Sequence, residues 1–189
     1  MADQLVTPSE LASFLQQDLD TATATLLIEM ATGKIQSACG QRLIAATATF
    51  VIDVDPCDFG PWLDLPQRPV RAVNSVLIEG VPYTDWLLRS QRLWRYLGWI
   101  AQLEHPSQVT VNADCGYLAG APGLQPARND CLVLCAAGYG NPSAVQSEQI
   151  DDYRVTYAAE ADARMQLTPA MRDRLRALYG SPAYVTTSS

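Results

Sequence analysis

The stretch TATATLLIEMATGKIQSACGQRLIAATATFVIDV, residues 21–54, changes its hydrophobic period halfway along. In its first part Leu27, Met30, Ala31, Lys34, Ile35 and Ala38 recur at the three-and-four spacing of one helical face. Gly40 follows where a left-handed C-terminal cap is expected. Gly33 weakens the middle of this helix and predicts a close helix crossing there. From Gln41 the helical spacing stops, and the β-branched run RLIAATATFVIDV reads as a strand that ends in the turn Asp55-Pro56-Cys57-Asp58. A helix of about five turns followed at once by a long strand predicts an α+β chain.

Working outward toward the N-terminus, Thr7-Pro8-Ser9-Glu10 has the form of a capping box. Thr7 can accept from the Glu10 amide and Glu10 can reach back, while Pro8 takes the first helical position, where a missing N–H costs nothing. A short helix carries Leu11, Phe14 and Leu15, and Asp18-Leu19-Asp20 ends it and offers the cap of the next helix.

Toward the C-terminus, Trp62–Pro66 reads as a short strand and Gln67–Val70 as a connection. Val73–Ile78 reads as a third strand, Glu79-Gly80-Val81-Pro82 as a hairpin turn, and Tyr83–Trp86 as the strand resumed. LWRYLGW is an aromatic-rich segment, and Gln108–Asn112 alternates Val109 and Val111 with polar neighbours. Pro126 opens a helix with Leu132, Val133, Cys135 and Ala136 on its apolar face, and Tyr139-Gly140-Asn141-Pro142 closes it. Ser147–Asp152 reads as a polar link and Tyr153–Tyr157 as a last strand. Thr168 then caps a helix with Pro169 in its first position, and Met171, Leu175, Leu178 and Tyr179 share one side.

The expected architecture is a small bundle of about four helices with a β-rich insertion between the second and third long helices. Residues 1–180 form a single domain on this reading, with a helical core at 7–40 and 126–180, the insertion at 41–118, and a tail at 181–189. With 189 residues, 48% of them hydrophobic, the chain has enough apolar material for one core.

Composition narrows the function. Thirteen Lys+Arg against 20 Asp+Glu give a net charge of −7, which repels phosphate and disfavours tight binding to a nucleic-acid backbone. No segment reaches the roughly 18–20 uncharged apolar residues that a bilayer-spanning helix needs. MADQLVTPSE, with Asp3 and Glu10, lacks the basic and apolar regions of a signal peptide. Cys39, Cys57, Cys115, Cys131 and Cys135 are odd in number and contain no CxxC pair, so reduced thiols and no zinc site are expected.

Catalytic, cofactor and metal residues are likewise not expected. The one histidine, His105, lies between Glu104 and Pro106, with no nucleophile or orienting acid at a recognisable spacing. The glycines form neither GxGxxG nor a phosphate loop. Asp53, Asp55 and Asp64 define the rival reading of a metal-dependent hydrolase, against the simpler one of solvated strand ends beside a turn. Trp62, Trp86, Trp94 and Trp99, interleaved with Arg89, Arg92 and Arg95, could stack single-stranded bases. The same residue types dominate protein–protein hot spots, and in an acidic chain that reading is preferred.

Taken in order, several segments resemble the head–tail adaptor (head-completion, or connector) proteins of long-tailed bacteriophages. They are Thr7–Leu11; Asp20–Ala24 with its long helix; Val73–Gly80 with Tyr83 and Trp86; Leu93-Trp94-Arg95 with Gly98-Trp99; and Val109-Thr110-Val111 with Gly116-Tyr117. Further on come Pro126, Tyr139–Pro142, the run Ser147–Tyr157 in the pattern SE-x-I-x-x-Y-x-V-T-Y, and Leu178-Tyr179-Gly180. Two positions depart from the family pattern: Asp151 stands where glycine is common, and VNADCGY replaces TYTAGY.

The resemblance implies a structural virion protein rather than an enzyme, forming a ring of about twelve copies to match the portal. The portal protein lies on one side, a stopper or other tail-side protein on the other, and genomic DNA passes through without specific binding. It implies a place at the head–tail interface of the virion, with assembly in the bacterial host cytoplasm. A stopper or tail-terminator is the structural alternative. Trp62, Trp86, Trp94, Arg95 and Trp99 are the expected contact residues, with Tyr184 and Val185 in a tail that docks on the portal by adding a strand.

Overall fold

The computed structural model describes residues 4–58, 60–139, 147–150, 153–156 and 165–180. Among these residues it is α+β, with four α-helices, and every ladder between the strands is antiparallel. The described residues fall into two compact units, one drawn from 4–40 and 122–178, the other from 41–121 with 179 and 180.

In the first unit, helix α1 spans Pro8–Leu15. Its capping box forms as the sequence predicts: the Glu10 amide donates to Thr7 Oγ1 at 3.3 Å, and the Thr7 amide to Glu10 Oε2 at 2.9 Å. Helix α2 spans Thr21–Cys39, capped by Asp20, which accepts from the Thr23 amide at 2.9 Å, and ended by Gly40 at φ +67°. Its buried stripe is Ala24, Ile28, Ala31, Thr32, Ile35 and Cys39. The expected face was therefore rotated: Met30 is exposed, and Leu27, Lys34 and Ala38 lie on the flank. The small residues Ala24 and Ala31 take the inner positions because they let α2 approach α3.

Helix α3 spans Gln125–Tyr139, after a 3₁₀ turn at Pro122–Leu124, and packs on α2 through Ala127, Cys131, Leu134 and Cys135. Val133, expected inside, is exposed. Strands β8 (Ser147–Ile150) and β9 (Tyr153–Thr156) pair as a two-stranded sheet, Ser147 opposite Thr156. The polar link expected at 147–152 is thus strand over Ser147–Ile150, specified by its partner because these residues carry little β signal. Helix α4 spans Pro169–Tyr179; Leu175 and Tyr179 are buried, whereas Leu178 is not. Ion pairs Arg128–Glu10 and Arg174–Asp130 tie α3 to α1 and α4. The expected glycine crossing moves as well: among the described residues a Cβ on Gly33 would meet nothing within 4 Å, whereas one on Gly138 would lie 2.5 Å from Met165 Sδ and 3.2 Å from Leu27 Cδ2.

In the second unit, β1 (Ala46–Val54), β7 (Ser107–Cys115), β3 (Val70–Ile78) and β4 (Val81–Tyr83) form one sheet in that order. β1 and β7 pair over their whole length, Ala46 opposite Cys115 and Val54 opposite Ser107. Alternation then puts Ile52, Val54, Val109, Val111, Ala113 and Cys115 on one face. The opposite face is a polar ladder in which Thr47 bonds Asp114, Asn112 bonds Thr49, and Asn74 bonds Asn112. Glu79 and Gly80, at φ +51° and +75°, make the two-residue turn of the β3–β4 hairpin.

A second sheet orders β2 (Trp62–Asp64), β6 (Arg92–Arg95) and β5 (Trp86–Arg89). Leu63 and Leu93, with Leu65 and Trp99, join the larger sheet's inner residues in one core. Tyr83–Trp86 is therefore not one resumed strand: Thr84 and Asp85 separate β4 in one sheet from β5 in the other. A helical bundle broken by a single β-rich insertion is accordingly not the order of elements. Strand pairing recurs between α3 and α4, and the helices and the long β segment each build their own unit.

Candidate functional site

The small sheet sorts the candidate residues by its pleat. Register places Trp62 opposite Trp94, Trp94 opposite Leu87, and Asp64 opposite Arg92 and next to Arg89's partner row. Residues directly opposite each other share a face, so Trp62, Asp64, Leu87, Arg89, Arg92 and Trp94 point one way. Leu63, Trp86, Leu88, Leu93 and Arg95 point the other way, into or against the core. The outward set is held rigid. Arg92 and Arg68 both pair with Asp64, at 2.7 and 2.9 Å, and the Arg92 guanidinium lies 5.4 Å from the centre of the Trp62 ring. Trp94 meets Tyr96 at a ring separation of 6.5 Å.

Of the expected contact residues, Trp62 and Trp94 thus lie on an outward surface, Trp62 at 40% exposure. Trp86 packs against the core and donates from Nε1 to the Tyr83 carbonyl at 2.9 Å. Trp99 is 1% exposed and donates to the Pro61 carbonyl, so it is a core residue. Arg95 is buried: its Nε binds both oxygens of Asp85, its Nη1 donates to the Gly98 carbonyl, and it covers the Tyr83 ring. The hydrogen bond from Arg95 holds the Asp85 carboxyl below its ordinary value. Tyr184 and Val185 lie outside the described residues.

The surface feature the sequence reading missed is the loop after β6. Tyr96, Leu97 and Leu103 are 81, 70 and 69% exposed. Exposed apolar side chains on a wandering loop mean little, but this loop is pinned from below. Trp99 is sunk in the core, the Gly98 amide donates back to the Arg95 carbonyl at 3.1 Å, and the Ala101 amide donates to Ser107 Oγ at 2.8 Å. Apolar side chains exposed on an anchored loop make it the candidate interaction surface of this unit. The signal was present in Leu93–Ile100, but the aromatic density drew attention to Trp99, the residue that anchors, and away from Tyr96 and Leu97, which project.

The acid residues of the rival reading line one open cleft of about 510 Å³, with Asp53, Asp55, Asp58 and Asp64 around Trp62, Leu63, Arg92 and Trp99. Asp64 is committed to two arginines, and Asp55 accepts from the Cys57 amide at 2.7 Å. Among the described residues no three His, Cys, Asp or Glu side chains converge as a metal would require. His105 is exposed and its Nδ1 lies 3.0 Å from the Pro106 carbonyl oxygen. Burial pushes the Cys39 and Cys115 thiols up to about 11, which keeps them protonated at neutral pH. Among the described residues no helix is long and apolar enough to cross a membrane.

No family model and no curated protein matches the chain. Its fold is similar to that of a chain in the solved structure of the neck of an empty GTA (gene transfer agent) particle, computed with C6 symmetry. The two are 15% identical, with a TM-score of 0.57, and the match covers 91% of this chain and 89% of that one. The chain therefore shares its fold with that chain of the neck structure.

Proposed function

We propose that the chain is a non-enzymatic structural subunit of the head–tail connection of a phage-like virion. In this reading it is an adaptor whose copies form a ring, about twelve of them, between the portal protein and a stopper or other tail-side protein. The observation that carries the proposal is the fold likeness to a neck component over 91% of the chain. The neck was computed with C6 symmetry, which rings of six or twelve copies both satisfy. The surface agrees: an adaptor must present distinct faces to its neighbours, and this chain carries a supported apolar protrusion on one unit and exposed Phe14, Leu26, Met30 and Val133 on the other.

The net charge of −7 suits a passage through which DNA slides without binding, because like charge denies it the phosphate contacts that hold it. The tail at 181–189, which includes Tyr184 and Val185, is the segment proposed to dock on the portal. Two experiments test the reading. Removing the gene from a particle-producing strain should leave filled heads and free tails that do not join, and normal particles would refute it. Deleting residues 181–189 should abolish copurification with portal protein, and unchanged binding would remove the docking role of the tail.

A further inference from the structure

Gly33 sits in the interior of α2, where glycine costs a helix roughly 0.5–1 kcal/mol relative to alanine. Among the described residues nothing requires it, since a Cβ there would meet none of their atoms within 4 Å. The space it leaves belongs to a groove of about 640 Å³ between α2 and α4 with the residues just before α4, Met30, Gly33 and Leu167 being in its lining. Lys34, Arg172 and Arg176 line it as well, against one carboxylate, Glu29. In a chain with 13 basic and 20 acidic residues, three cations beside one acid make a local reversal of sign. None of the three takes part in an ion pair among the described residues.

The loop after β6 is complementary in both respects. Tyr96, Leu97 and Leu103 are exposed on a loop anchored by buried Trp99 and the Ala101–Ser107 hydrogen bond, and Glu104 follows Leu103 directly on the same exposed loop. An apolar tip carrying one carboxylate fits an apolar groove bordered by cations, and its fixed shape lowers the ordering cost of docking. Groove and loop belong to different units of the chain, so each copy has a loop to give to one neighbour and a groove to take the loop of another, the head-to-tail contact that closes into a ring.

We propose that the α2–α4 groove receives the 96–104 loop of an adjacent copy of this chain, with Leu97 over Gly33 and Glu104 facing Lys34, Arg172 and Arg176. This rests on the ring-forming reading given above. It assigns Gly33 a purpose: the close crossing it permits is made with a neighbour.

Disulfide trapping tests the contact. Cys57 is the exposed cysteine, the other four being buried, so Cys57→Ser gives a quiet background. In it, Gly33→Cys and Leu97→Cys are made singly and together, and each protein is oxidised with copper phenanthroline at millimolar concentration. Each single variant alone should stay monomeric on a denaturing gel, their mixture should give a dimer, and the double variant a ladder ending at the ring size. A charge swap supplies a second reading: Arg176→Glu should weaken association about fivefold, and adding Glu104→Lys should restore it. Rings of unmodified protein in the microscope without a ladder would overturn this contact and leave the ring intact. Neither rings nor ladder would overturn both. A double variant that stops at the dimer would show a reciprocal two-fold contact and refute the ring-closing one, and single variants that cross-link as strongly as the mixture would refute the pairing of Gly33 with Leu97.

Discussion

Arg95 grips Asp85 from Nε, at 3.0 and 3.1 Å to the two carboxylate oxygens, while its guanidinium carbon stands 4.5 Å from the centre of the Tyr83 ring. With Nη1 on the Gly98 carbonyl at 2.7 Å, one side chain fastens the β4–β5 connection to the loop after β6. Replacing Arg95 with alanine leaves Gly98 without this donor and opens the cover over Tyr83. A loss of about 1–3 kcal/mol in urea unfolding is expected, with Arg95→Lys intermediate because it cannot span both partners. No change in either variant would mean the clamp is idle.

The exposed and buried members of the same aromatic segment should separate cleanly. Trp99→Ala removes a core side chain and should cost about 3–5 kcal/mol. Tyr96→Ala and Leu97→Ala should stay within about 0.5 kcal/mol of the parent and lower association instead. Thermal unfolding together with sedimentation reads both effects, and a strongly destabilised Leu97→Ala would show that the loop is packing rather than surface.

Two glycines should respond in opposite directions. Gly116 has φ +89°, and a Cβ on it would lie 2.6 Å from the Ile44 carbonyl oxygen and 2.9 Å from that of Leu43. That backbone approach is fixed by the Tyr117 amide donating to Leu43 O at 2.7 Å and the Ala45 amide to Tyr117 O at 2.9 Å, so Gly116→Ala should cost about 3 kcal/mol or prevent folding. Gly33→Ala should raise monomer stability by about 0.5–1 kcal/mol. Chemical denaturation of the two variants side by side is the check.

Acid should weaken the fold through its paired carboxylates. Glu10 is held below its usual 4.5 first by the Thr7 amide and then by Arg128, and Asp85 below 3.8 by Arg95. A carboxyl whose pKa is lower in the folded state stabilises it above the ordinary value, and that contribution disappears as pH falls through the folded pKa. The urea midpoint should therefore be level near neutrality and fall below pH 4.5, with a shallower fall in Glu10→Gln. An identical slope in Glu10→Gln would exclude the cap as a cause.

What was legible in the sequence was what short-range chemistry decides. Thr7-Pro8-Ser9-Glu10, Asp20, Gly40 and Thr168-Pro169 mark helix ends because capping needs particular side chains at particular offsets, and all of them act where they were read. The α+β class followed from the change of period after Gly40. Sheet membership was not legible: Tyr83 and Trp86 are three residues apart and serve different sheets, and nothing local separates them from one continuous strand. The second tight turn, Ser90-Gln91 at φ +47° and +69°, lacks the glycine or asparagine that announces such turns. Helix faces shifted because small residues and Thr32 lie inward where Met30 and Val133 had the greater hydrophobicity. At the candidate site, Trp62, Trp86, Trp94, Arg95 and Trp99 read alike as contact residues, because residue type alone does not tell the outward side of the pleat, where Trp62 and Trp94 lie, from the buried positions of Arg95 and Trp99.

A ring at the portal would be visible by electron microscopy of the purified protein, alone and mixed with the portal assembly of its own particle. An added annular layer is expected on one end of the portal, with a copy number of about twelve and the 96–104 loop of each subunit against the α2–α4 groove of the next. Bare portals beside a persistent monomer would contradict it.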